Sequence, residues 1–402
     1  MPLTEIDLST AAFCADPYPT YRRLQQMNAP YWWAHGGTTG GMWMFSKYED
    51  VAAILKEARV SKNVSLLLPP EMVTPLEKAM LFQDPPDHTR LRSLASQTFT
   101  TTRVRELETH ITQIVDELLT QCRSAGGMDF IADFALPLPV IVIAELLGVP
   151  HEDRARFQVW SKHIINGVDM IQATEEDARN YGEAMQGLVT YFAELSRKRR
   201  VQPREDILSA LIAAQDTGSG SLRLSEEELI GTCILLLIAG HETTINLLGN
   251  GLFTLLRHPE QLVLIQKQPD VITSAVEEML RFESPVQRAT FRFTREAFTI
   301  KGIEIAQWQQ ISAVLGAANR DPAQFPDADR FDVTRDPNRH LGFGLGIHFC
   351  LGAALARTEA RIGFTRFLET FPNVRLAMQT PEAPEWNAST FFRGLKTLPV
   401  TF

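Results

Sequence analysis

Phe343-Gly344-Leu345-Gly346-Ile347-His348-Phe349-Cys350-Leu351-Gly352 sets three glycines, a histidine and a cysteine at fixed offsets, with the helical run Ala353-Ala354-Leu355-Ala356-Arg357 following at once. Glycines ahead of the cysteine let the backbone turn sharply and approach a flat ligand or a sulfur atom with no side chain in the way. The cysteine falls at a helix start, where the open amides and the dipole favour thiolate over thiol. A thiolate held by donated hydrogen bonds at such a turn is what a proximal haem ligand requires. A buried, inert cysteine at a helix start accounts for Cys350 alone. It leaves the placing of Phe343, Gly344, Gly346, His348 and Gly352 unexplained.

The rest of the chain narrows the class. A length of 402 residues suits two to three ordinary domains or one large helical one. Hydrophobic residues make up 45% and charged residues 22%, a composition that supports a sizeable core. The net charge of -9 provides no basic surplus to neutralise phosphates, which argues against nucleic acid. Cys14, Cys122, Cys233 and Cys350 are scattered, with neither zinc spacing nor a disulfide framework, so a reducing cytoplasm is the expected setting. The stretch Met1-Pro2-Leu3-Thr4-Glu5-Ile6-Asp7 lacks the basic and apolar regions of a signal peptide. The apolar run 229–240 falls short of the roughly twenty residues a membrane span needs, so no membrane is expected.

Helical periodicity dominates. Residues 102–123 carry Val104, Leu107, Ile111, Ile114, Val115, Leu118 and Leu119 on one face. Further helices are expected over 138–147 and 177–200. The last ends in Arg197-Lys198-Arg199-Arg200, as positive charge suits a helix C-terminus. Ser225 and Glu228 form a capping box opening a run to Leu256, closed by His258-Pro259. At 1.5 Å per residue such a helix is roughly 45 Å long and crosses a whole domain. Short strands are expected at 291–293, 298–300, 310–314, 374–377 and 398–402. The expected class is mainly α with small β-sheets.

The middle of the long helix reads Ala239-Gly240-His241-Glu242-Thr243-Thr244. Gly240 costs a helix interior about 1 kcal/mol against alanine, and threonine hydroxyls bonding back to earlier carbonyls open a groove. Together with the cysteine loop, which fills every fixed position of the pattern FGxGxHxCxG, this segment resembles the cytochrome P-450 superfamily over nearly the full chain. The resemblance implies that family's fold, a single triangular α-rich domain over 1–402 with haem between the central helix and the cysteine loop. It implies haem b (iron protoporphyrin IX) with Cys350 as axial thiolate, cradled by Phe343, Gly344 and Gly352, with Ala239 and Gly240 against the haem face. Thr243 is then the hydrogen-bonding hydroxyl toward oxygen and Glu242 the proton relay, since O–O cleavage consumes protons.

The same resemblance implies a propionate-binding group of His88 and Arg92, four apart in Asp84-Pro85-Pro86-Asp87-His88-Thr89-Arg90-Leu91-Arg92, with Arg292 and His348. Arg288 is a rival to Arg292. Glu278 and Arg281 match the family's ExxR pair, completed by Arg330 or by Arg335. The segments 66–68, 235–238, 285–287 with Ala289, and 390–392 are expected to line an apolar substrate pocket. The implied activity is insertion of one oxygen atom from O2 into a small, largely apolar organic substrate, by hydroxylation or epoxidation, with secondary metabolism as the expected setting. Electrons would come from a separate ferredoxin or flavodoxin with its reductase, docking where Arg357, Arg361 and Arg366 recur. A hydrogen-peroxide-driven peroxygenase and a non-enzymatic haem electron carrier or sensor are the alternatives. Both lack a use for the Glu242-Thr243 pair.

Overall fold

A computed structural model describes residues 6–27, 29–34, 40–99, 101–168, 173–217, 223–377 and 384–402. The stretch read for a signal peptide falls mostly outside them. Among these residues the chain opens with α1 (Ala11–Ala15), α2 (Tyr18–Gln25), β1 (Tyr31–Trp33), β2 (Met42–Phe45), α3 (Tyr48–Ile54) and β3 (Val60–Ser61). It continues through α4 (Asp87–Ser96), α5 (Thr101–Cys122), β4 (Gly127–Asp129), α6 (Pro137–Leu146), α7 (Arg154–Val168), α8 (Glu175–Val201) and α9 (Ile207–Thr217). Then come α10 (Glu226–Arg257), α11 (Pro259–Lys267), α12 (Ile272–Phe282), β5 (Arg292–Thr294), β6 (Phe298–Ile300), β7 (Ile303–Ile305) and β8 (Gln310–Ala313). The chain finishes with α13 (Leu315–Ala318), α14 (Ala353–Thr370), β9 (Arg375–Leu376) and β10 (Pro399–Thr401).

These elements form two compact units, each gathered from separated stretches: Met1–Val60, Glu108–Leu138 and Thr243–Phe402 in the first, Ser61–Leu107 and Pro139–Glu242 in the second. The first unit holds the sheets. Its largest runs β1-β2-β8-β5-β3, with β2 parallel to β8 and β5 antiparallel to it through the pair Arg292–Ile311. Phe45, Val51, Ile54, Leu55, Ile311, Ala313, Leu315 and Leu341 make one buried cluster against this sheet. Each large side chain there contributes about 1.5–3 kcal/mol by leaving water. Strands β1 and β2 escape a sequence reading because each is three or four residues long and too buried to alternate. The first unit also closes a small sheet β4-β10-β9.

The second unit is helical. Phe157 and Trp160 of α7 pack edge-on against Tyr191 of α8 at 4.7 and 6.4 Å. The basic end of α8 is partly internal: Arg199 is buried, and its Nε donates to Asp206 at 2.6 Å. Helix α10 runs unbroken through both units over 32 residues. Its capping box forms as expected, with Ser225 N to Glu228 Oε2 at 2.7 Å and Glu228 N to Ser225 Oγ at 3.1 Å. Gly240 has a packing role within the helix, since a Cβ there would lie 2.7 Å from Cγ1 of Ile143 in α6.

Candidate active site

The cysteine loop is a set of tight turns fastened to α12. Gly344 and Gly346 take φ of +71° and +78°, left-handed values open to glycine at little cost. A Cβ on Gly346 would also come within 3.0 Å of Leu55 O. Gly346–His348 forms a 3-10 turn, Cys350 N donates to Phe343 O at 2.9 Å, and Gly352 caps α14. The Arg357 guanidinium lies over the Phe343 ring at 4.4 Å. Its Nε and Nη2 reach Glu277 at 2.6 and 2.7 Å, and His340 Nε2 meets the same carboxylate at 2.9 Å. Burial works against Glu277 ionising, but Arg357 and His340 outweigh it and hold its pKa down to about 2. Cys350 is exposed and outside any disulfide.

Behind this loop the Glu278–Arg281 pair is fully buried, at 0% exposure for both side chains. Arg281 Nε and Nη2 donate to Glu278 at 2.7 and 2.8 Å. Arg335 Nε reaches both oxygens of Glu278 at 3.2 Å, so Arg335 is the third member. Arg330 contributes its carbonyl, which accepts from Arg281 and Arg335 at 3.1 and 3.0 Å, while its side chain turns to Asp332. A surface ion pair would contribute little. This one is a buried network whose charges must stay matched.

Arg292 sits in β5, 5% exposed, with Nη1 donating to Thr290 O at 2.6 Å. Burial alone lowers its pKa to about 10, and no acidic side chain among the described residues offsets that effect. Its rival Arg288 is committed to Thr390, whose O and Oγ1 accept from it at 2.9 and 2.5 Å. Along α10 the side chains are buried on either side of a short window, in which Ala239 is exposed and Gly240, Glu242 and Thr243 are half-buried. His241 within it is buried, its Nδ1 2.7 Å from Leu237 O, and burial depresses its pKa to about 4.

In the second unit His88 and Arg92 share α4. His88 is buried, and its pKa is lowered by that burial, then by Arg92 and Lys62. Lys62, itself buried at 2% exposure, is a cation the sequence reading missed. Its only sequence signal is position, in Ser61-Lys62-Asn63 ahead of α4. Asp84 fixes it there by accepting from Lys62 N at 3.0 Å and Ser61 Oγ at 2.5 Å. The arginines expected to greet a redox partner are engaged within the first unit: Arg357 with Glu277, Arg361 with Glu108, Arg366 with Asp116 and Glu369. Their side chains nevertheless stay 38–40% exposed.

Comparison with known proteins decides the family. The cytochrome P-450 family model matches residues 12–392. The chain belongs to the cytochrome P-450 family. It is 40% identical over 374 residues to the polyketide biosynthesis cytochrome P-450 PksS of Bacillus subtilis, covering 91% of this chain and 90% of that one. It is 41% identical over 402 residues to the vitamin D(3) 25-hydroxylase of Pseudonocardia autotrophica, covering 98% and 96%. Among solved structures, cytochrome P-450 BioI in complex with hexadec-9Z-enoic acid ligated acyl carrier protein superposes with a TM-score of 0.89 at 40% identity, covering 98% of this chain and all of that one. The P-450 fold, mainly helical with small sheets, is therefore this chain's fold, and the chain is a haem-thiolate monooxygenase.

The residues present suit haem with a cysteine thiolate. Arg292 is a buried cation without an acidic partner among the described residues, and buried charges are ordinarily paired. A haem carboxylate would supply that missing partner. Helix α10 of this P-450 is the one described helix long and apolar enough to cross a membrane, but 67% of that window is buried inside the protein.

Proposed function

We propose that this P-450 binds haem b through Cys350 and hydroxylates or epoxidises a small, largely apolar organic substrate of secondary metabolism. The relatives named for polyketide biosynthesis and as a vitamin D(3) 25-hydroxylase support an apolar substrate of that class. Arg292, His348, His88 and Arg92 hold the propionates, and Phe343, Gly344 and Gly352 shape the thiolate side. When bound, haem supplies the iron at which O2 is reduced and split. Ala239 and Gly240 lie against the flat ligand on α10, Gly240 also admitting Ile143 of α6. Glu242 accepts a proton from solvent and passes it to Thr243, whose Oγ1 holds it toward the oxygen being cleaved. The accessibility of Ala239, Gly240, Glu242 and Thr243 between the buried runs 229–237 and 244–255 of α10 is the observation that carries this assignment. Electrons come singly from a separate ferredoxin or flavodoxin served by its own reductase, in the cytoplasm.

Two measurements test the reading. Reduced protein under carbon monoxide is expected to give the absorption band of thiolate ligation, and Cys350→Ala to lose it. With a turned-over substrate, Thr243→Ala is expected to go on consuming reductant and O2 at a comparable rate while product falls severalfold and peroxide accumulates. Full coupling in that variant removes Thr243 from its role.

A further inference from the structure

A narrow cavity lies where α2 meets the segments 285–288 and 387–393, lined by Phe13, Cys14, Tyr21, Gln287, Ser389 and Thr390 among others. It offers about 10 Å³ to the centre of a water molecule, room for a single one. Two of its lining side chains are polar, deeply buried and unsatisfied. Tyr21 and Gln287 are 1% and 3% exposed, and neither Tyr21 Oη nor Gln287 Oε1 has a hydrogen-bond partner in the protein.

Gln287 has no freedom to correct this by itself. Its Nε2 donates to Ser284 O at 2.7 Å, its N donates to Phe391 O at 2.8 Å, and its carbonyl accepts from Gly316 N at 3.1 Å. A Cβ on Gly316 would stand 2.1 Å from Oε1, so the glycine is what admits the amide in this orientation. The result is an acceptor without a donor and a hydroxyl without an acceptor on two residues that line one cavity. Each unsatisfied buried group costs about 1–3 kcal/mol. One molecule that accepts from Tyr21 Oη and donates to Gln287 Oε1 satisfies both.

We propose that this cavity holds a single ordered water bridging Tyr21 Oη and Gln287 Oε1, a structural site that fastens α2 to the Pro285-Val286-Gln287 segment. Through the Gln287 N to Phe391 O bond the bridge also braces the Thr390-Phe391-Phe392 segment. The site stands whether or not those segments face substrate.

A crystal structure of the haem-loaded protein that resolves solvent is the test. Water density within about 2.7–3.2 Å of both atoms is expected, and a dry cavity or a direct Tyr21–Gln287 bond overturns the proposal. Tyr21→Phe is expected to lose that density and to speed hydrogen exchange at the Gln287 amide severalfold. Exchange at the wild-type rate in that variant also overturns it.

Discussion

Glu359 is a buried carboxyl group outside the site. It lies in α14, 1% exposed, and its Oε2 has no hydrogen-bond partner. Burial alone raises its pKa to about 8 from 4.5. The folded chain therefore keeps a proton that the unfolded chain releases, so stability falls as pH rises through that interval. Glu359→Gln is expected to match the wild type near pH 4 and to exceed it at pH 8 by a few kcal/mol, at about 1.4 kcal/mol per pH unit. Urea midpoints across that range read the difference, and parallel pH profiles would refute it. His241 acts in the opposite direction. Burial depresses its pKa to about 4 from 6.5, so its contribution is complete above the higher value and is lost as pH falls toward the lower one. His241→Gln should flatten the acid limb of the same profile, up to about 3 kcal/mol.

At the scale of elements, the buried carboxylate of α12 joins its own helix to the segment before the cysteine loop. Glu278→Gln leaves the Arg281 and Arg335 charges unmatched and should cost about 3–5 kcal/mol. Arg335→Ala should destabilise strongly as well. Arg330→Ala should stay within about 0.5 kcal/mol, because only the Arg330 carbonyl enters the network. Chemical denaturation of the three variants separates these outcomes, and equal losses for Arg330 and Arg335 would contradict the assignment. The exposed pairs of Arg361 and Arg366 belong to another class, and truncating either should cost only about 0.2–1 kcal/mol. The sequence exposed both α12 residues as an i,i+3 pair but left Arg330 and Arg335 equivalent. Five residues apart in an irregular segment, they differ only in where each side chain turns.

For the whole molecule, haem binding and folding are coupled. A ligand that binds only the folded chain stabilises it by mass action, so haem extraction is expected to lower the thermal midpoint. Arg292 should show the coupling most plainly. Without haem it is a buried charge with no acidic partner among the described residues, and Arg292→Leu is expected to raise the stability of the haem-free protein by about 1–4 kcal/mol. With haem the same change should weaken haem retention. Calorimetry of both forms and competition for haem with apomyoglobin read the two signs. A loss of stability in the haem-free variant would show that Arg292 serves the fold alone.

The sequence by itself determined the family, the turns of the cysteine loop, the long helices and the capped start of α10, because those features are local. Glycine offsets, helical periodicity and a capping box are complete within a few turns of chain. Tertiary structure alone decided that Arg335 completes the buried network, that Arg288 belongs to Thr390, and that Gly240 makes room for Ile143. It also placed Lys62 beside His88 and paired Arg357, Arg361 and Arg366 of α14 with Glu277, Glu108 and Asp116, acids distant in sequence. Charge and burial depend on which remote atoms arrive next to a side chain, and linear spacing carries no record of that.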